Sequence, residues 1–269
     1  MTTQNINLKK EITFHEKKFE SGENFSYIYD NDPLWKKHWE RKFQNIYPYL
    51  KELNQSTYIL NVGAGTGPVE YFFSRENKRF KNFISSDISN NAISNIKYLD
   101  LNDNLILCDA TKLPFKDHSF DVILFIGILH HIPKEDFNKL FCEVQRVINP
   151  NGLVIASEPL PNTSRKIIKR LFYSDWKNIH TEDEREVEWT EIESLKNELQ
   201  INDIIIKPFG YFIDMLINVK FIEPFANILK YIYIFDIFLE KLHISWSYFI
   251  YIRFKENKIY NEFMMEHIL

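Results

Sequence analysis

The chain has 269 residues, enough for one large α/β domain or for one domain with a modest insertion. Its composition, 45% hydrophobic and 26% charged, is that of a globular protein, and a net charge of -4 with a pI near 6.1 gives no global attraction to nucleic-acid phosphates. Only two cysteines occur, Cys108 and Cys142, in no metal-ligand spacing, which argues against a disulfide framework or zinc site and for a reducing, cytoplasmic setting.

Residues 1–56 read as polar helices with intermittent aromatics, without the apolar core of a secretory signal. Pro33 suits the first turn of one of these helices. Residues 58–62 form a short apolar run that stops at a glycine cluster, the pattern of a buried strand. Further runs of this kind fall at Phe83-Ile84, Asn104–Leu107, Asp121–Ile126 and Leu153–Ala156, with helical stretches at Asn91–Lys97 and Lys134–Val147 between them. Strand and helix alternating at this pace predict a parallel sheet covered on both faces. Thr190 and Glu193 have the spacing of a capping box and predict a helix to about Leu199, followed by strands over Asp203–Ile206 and Trp246–Phe254. Between those strands, about 211–243, apolar residues recur at helical spacing and predict an inserted helical subdomain. Its runs are interrupted by Lys230, Asp236, Glu240 and Lys241, so none is long enough to span a membrane.

Three of the seven glycines, Gly63, Gly65 and Gly67, share one five-residue window after the first strand. A plain strand-to-helix turn usually needs one; three allow positive φ and close approach of a ligand to the backbone. A dinucleotide turn wants a glycine at position 68, where Pro68 stands, and no Gly-Lys-Ser/Thr follows to make a P-loop. Asp87 ends the second strand, where a carboxylate can accept both hydroxyls of a ribose. Asp109 follows the third, placed to bond an adenine amino group. A lone Asp at a strand end is commonly a turn residue. In register with the glycine loop, the two acids point to an adenosine cofactor.

Ile59 to Gly67, Asp87-Ile88-Ser89, Cys108-Asp109-Ala110, Ser119 to Ile123, Leu129 to Ile132 and Ile148 to Leu153 together resemble the class I S-adenosylmethionine-dependent methyltransferase family over about residues 56–160. The resemblance implies a Rossmann-like, doubly wound, mostly parallel sheet of seven strands with helices on both faces. It also implies an N-terminal helical cap over 1–56, a cofactor-binding core over 57–160, and a C-terminal part over 161–269 carrying the 211–243 insertion. S-adenosylmethionine is the implied cofactor, held by Asn61, Gly63, Ala64, Gly65, Asp87, Ile88, Asp109, Ala110 and Gly127, with no metal. The family usually carries an acid where Asn61 stands, and that acid helps to hold the methionine ammonium; Asn accepts a hydrogen bond but brings no charge. Asn151 replaces a glycine, a smaller change because Asn tolerates left-handed backbone angles.

The implied reaction is in-line methyl transfer from a sulfonium, for which the protein mainly supplies alignment and exclusion of water. His130 and His131, just past the fourth strand, are the candidate general bases; the plainer alternative is that they orient or underpin the loop. His180 is a further candidate. No Asn/Asp-Pro-Pro-aromatic motif follows strand four and no Pro-Cys nucleophile occurs, so DNA is not the expected substrate, and the acidic charge disfavours RNA. A small-molecule acceptor is expected. The aromatic 211–251 region reads either as rings packed on the sheet or as an apolar lid for a lipid-like acceptor, with peripheral membrane contact as a variant. The alternatives are an RNA or protein methyltransferase and a non-catalytic, methyltransferase-like partner subunit.

Overall fold

A computed structural model describes residues 9, 12–14, 16–17, 33–50, 53, 56–75, 81–159, 185–199, 201–210, 229–243, 245 and 247–254. In chain order the principal elements are α1 (Pro33–Leu50), β1 (Ile59–Val62), α2 (Pro68–Arg75), β2 (Phe83–Asp87), α3 (Asn90–Tyr98), β3 (Leu105–Leu107), β4 (Phe120–Ile126), a 3₁₀ turn (Leu129–His131), α4 (Lys134–Val147), β5 (Ile148–Pro159), α5 (Trp189–Glu198), β6 (Ile201–Phe209), α6 (Leu229–Lys241) and β7 (Ser247–Phe254). The strands form one seven-stranded sheet in the order β3-β2-β1-β4-β5-β7-β6. β1 to β5 pair in parallel, while β7 runs antiparallel between β5 and β6.

Both sides of the sheet are covered, which is why its central strands are unbroken apolar runs. Successive side chains alternate between faces. Leu60, Ile123, Phe125, Val154, Ile250 and Ile252 pack with Phe137, Leu140 and Phe141 of α4 and Ile192 and Leu195 of α5. Ile59, Val122, Leu124, Ile155, Phe249 and Tyr251 pack with Phe43, Ile46 and Leu50 of α1 and Val69, Phe72 and Phe73 of α2. The parallel register brings the ends of β1, β2, β4 and β5 to one edge, where the loops carrying the candidate residues converge.

Two local expectations are corrected. The fifth strand, predicted over Leu153–Ala156, begins earlier, and the run Ile148 to Leu153 lies inside β5. There the pairing jumps from Phe120↔Ile148 to Val122↔Leu153. Asn149 donates to Asp121 at 2.7 Å, and a Cβ on Gly152 would stand 2.9 Å from the Asp121 carbonyl oxygen, so the irregular stretch stays folded against β4. Asn151 takes the positive φ expected of it, +141°. The capping residue of α5 also differs: Glu191, not Glu193, accepts from a free backbone N–H, that of Glu188 at 2.9 Å, and the helix opens at Trp189. Arg185 draws Glu191 there through bonds of 2.6 and 2.8 Å, a partner the capping pattern does not contain.

Of the expected insertion, residues 211–228 lie outside the described residues, and 229–241 form α6. Its polarity is inverted. Asp236, at 0% exposure, and Glu240 face Arg41 of α1, while Tyr231, Ile234, Phe235, Phe238 and Leu242 are exposed. Glu240 also accepts from the Gly210 N–H at 2.5 Å, which fixes α6 at the carboxyl end of β6. Burial, opposed by the Arg41 charge, pushes the Glu240 carboxyl above its ordinary value. Among the described residues, no helix is long and apolar enough to cross a membrane.

Removing the cation of this cluster strands two acids, one of them fully buried. Arg41→Met is expected to lower the stability to urea unfolding by about 3 kcal/mol, and a loss under about 1 kcal/mol, the range of an exposed pair, would contradict the buried cluster.

Candidate active site

β1 delivers the glycine loop. Gly63, Gly65 and Gly67 adopt φ of +69°, +56° and +80°, angles that other residues take only with strain. The Ala64 N–H donates to the Ser86 carbonyl at 2.9 Å, and the Gly65 N–H to Oδ2 of Asp87 at 2.8 Å. Oδ1 of Asp87 accepts from the Ser89 N–H at 2.8 Å. The Asp87 carboxylate is thus held in position at the end of β2, on the edge of the sheet where the glycine loop lies. Ile88 beside it is half-buried. Oδ1 of Asp109 accepts from the backbone N–H and the hydroxyl of Thr111, both at 2.8 Å, which makes it a turn residue as well as a ligand candidate; Ala110 is buried against the core. Burial pushes the thiol of neighbouring Cys108 up to about 11, out of the range of a nucleophile near neutral pH.

The loop after β4 lies against the glycine loop: a Cβ on Gly63 would stand 2.3 Å from Cδ1 of Ile128. Gly127 takes φ +76°, and a Cβ there, or on Gly65, would meet nothing within 4 Å among the described residues. Open space therefore faces both loops where a cofactor is expected. The residues present fit an adenosine group with an extended tail: a fixed carboxylate, a close-approach backbone and a cradle that side chains would fill.

His130 and His131 sit at the end of the 3₁₀ turn, their ring centroids 4.2 Å apart. His130 is buried, and its Nδ1 lies 2.7 Å from Oε2 of Glu158 at the end of β5. Oε1 of Glu158 accepts from the Ile128 and Leu129 N–H groups at 3.0 and 2.7 Å. One buried carboxylate thus grips the turn and fixes the imidazole, favouring the tautomer with the proton on Nδ1 and Nε2 as acceptor. Arg185 braces the same turn: its N–H donates to the His130 carbonyl at 3.2 Å and its Nε to the Ile132 carbonyl at 2.6 Å. His131 is half-buried beside the dyad, and His180 lies outside the described residues.

Asn61 is buried under the glycine loop, and its Nδ2 donates to Oε1 of Glu70 at 2.8 Å. Glu70, Glu158 and Arg185 escaped the sequence reading. Glu158 left one signal, a charge closing an otherwise apolar strand; Glu70 left another, an acid in the first turn of an aromatic helix. Arg185 left none.

A parallel sheet with a glycine loop after its first strand and an acid at the end of its second defines an adenosine-binding Rossmann-like class. Comparison with known proteins refines this. Residues 60–156 match the family described as "Methyltransferase domain". A ubiquinone/menaquinone biosynthesis C-methyltransferase of Rickettsia typhi is 32% identical over 114 residues, 39% of this chain and 45% of that protein. A tRNA (carboxymethyluridine(34)-5-O)-methyltransferase of Arabidopsis thaliana is 29% identical over 115 residues, 42% of this chain and 27% of that protein. The alignments thus span less than half the length of both relatives. The crystal structure of the PH0226 protein from Pyrococcus horikoshii superposes with a TM-score of 0.54 at 19% identity, covering 82% of this chain and 91% of that one, a likeness of fold. Residues 60–156 thus carry a methyltransferase domain.

The glycine geometry separates strain from collision. Gly63→Ala is expected to lose about 2 kcal/mol of stability, from positive φ plus the clash with Ile128, and Gly65→Ala about 1 kcal/mol from φ alone. Equal losses in chemical denaturation would contradict the packing of the two loops.

Proposed function

We propose that the protein transfers a methyl group from S-adenosylmethionine to a small, apolar acceptor bearing an ionisable proton, such as a phenol- or enol-like group. The observation that carries this reading is the buried His130–Glu158 pair beside the glycine loop. S-adenosylmethionine, when bound, supplies a methyl group already activated on a sulfonium. Asp87 would hold the ribose, and the turns at Gly63–Gly65 and Asn61 the methionyl tail. Glu158 fixes Nδ1 of His130, leaving Nε2 to take the proton that the acceptor loses as it attacks. A buried imidazole is suited to this work, since water is excluded from the proton's path.

The apolar character of the acceptor is supported by α6, whose exposed Ile234, Phe238 and Leu242 lie on a helix tied to the carboxyl end of β6, the same edge of the sheet as the site. The similarity of the core to a quinone-biosynthesis C-methyltransferase points the same way. The chemistry suits a cytoplasmic enzyme that takes its acceptor from solution or from a membrane surface.

The test is a methyl-transfer assay with apolar phenols and transfer RNA offered side by side. Turnover of the phenols is expected, with His130→Ala lowering kcat about hundredfold and Glu158→Gln lowering it less, while S-adenosylmethionine affinity stays close to wild type. Turnover of RNA in place of the phenols, or a His130→Ala variant as fast as wild type, would overturn the proposal.

A further inference from the structure

Asn61 of β1 and Ser85 of β2 stand opposite each other in the parallel register, on the face of the sheet that is otherwise filled by Val69, Phe72, Phe73 and Phe83. Glu70 of α2 reaches between them at 2% exposure. Its Oε1 accepts from Nδ2 of Asn61 at 2.8 Å and from the Ser85 hydroxyl at 2.5 Å, and Ser85 in turn accepts from Nδ2 of Asn102 at 2.7 Å. The Asn61 and Ser85 donors both converge on this one oxygen of Glu70. Oε2 is buried without a hydrogen-bond partner among the described residues, and it would lie 3.6 Å from a Cβ on Gly67, directly under the loop.

An arrangement made only for packing would use an apolar side chain here, because a buried carboxyl with one oxygen unsatisfied costs more than it returns. Burial raises the carboxyl above its ordinary value, the hydrogen bonds from Ser85 and Asn61 oppose that rise, and the charge of Asp87 adds to it. Glu70 also occupies the first turn of α2, where the helix dipole favours negative charge.

We propose that Glu70 sets the charge of the cofactor loop, standing in through Asn61 for the acid that position 61 lacks, and so selects a ligand with a cationic aminoacyl tail. The inference rests on the cofactor reading above. Glu70 is a positioning residue: it orients the Asn61 amide with Nδ2 towards itself, leaving Oδ1 as the acceptor, and it supplies the negative field that the amide alone cannot.

Calorimetric titration with S-adenosylmethionine and S-adenosylhomocysteine tests this on wild type, Glu70→Gln and the reciprocal double variant Asn61→Asp/Glu70→Gln, with thermal melting as the control for folding. Gln keeps the size of Glu70 and removes its charge. Glu70→Gln is expected to weaken both ligands about tenfold or more, and the double variant, with the charge moved to position 61, to recover to within about threefold of wild type. A structural role alone would change the melting temperature and leave the affinities alone. Glu70→Gln binding as wild type does, or a double variant no tighter than Glu70→Gln, would overturn the inference. Failure of the wild type to bind either ligand would instead overturn the cofactor reading itself.

Discussion

The carboxylate of Asp87 is the interaction on which the site depends. One oxygen holds the Gly65 N–H and the other the Ser89 N–H, so a single side chain at the end of β2 joins the glycine loop after β1 to the start of α3. The glycine loop has no side chain larger than that of Thr66 to define its own path. Parallel pairing of β1 with β2 and β4 supplies the frame, and Asp87 converts that frame into a fixed row of N–H groups and carboxylate oxygens. That geometry is settled before any ligand arrives, which is what the proposed ribose contact requires.

A second buried carboxylate does the matching work on the other side. Glu158 gathers the Ile128 and Leu129 N–H groups and the His130 ring, and the Ile128 side chain in turn fills the space above Gly63. The glycine loop and the turn after β4 are therefore in contact through one apolar side chain. Arg185 adds a brace from beyond β5, clamping the turn to the first turn of α5 through Glu191. Burial makes both carboxylates costly unless they are bonded, and both are.

Much of this was legible in the sequence, and the reason is local. The strand β4 reads as Phe-Asp-Val-Ile-Leu-Phe-Ile because both faces are covered, α4 keeps the predicted bounds Lys134–Val147, and three glycines in five residues mark a loop no ordinary turn needs. What stayed hidden depends on partners distant in the chain. Glu158 meets His130 across 28 positions, and Arg41 meets Asp236 across 195. The acids of α6 looked like interruptions of an apolar helix; they are its inward face, made so by a cation in α1. The capping acid of α5 was misplaced by two residues for the same reason, since Arg185 decides which glutamate turns inward.

The account stands or falls on where an adenosyl ligand sits. Crystals of the protein grown with S-adenosylhomocysteine test this most directly. The ribose is predicted on the Asp87 carboxylate, the aminoacyl tail over Gly63–Gly65 beside Asn61, and the sulfur in the open space between that loop and Gly127, on the side of His130. Ligand density elsewhere, with no ligand atom on the Asp87 carboxylate and the space before Gly127 filled by the protein's own side chains, would contradict it.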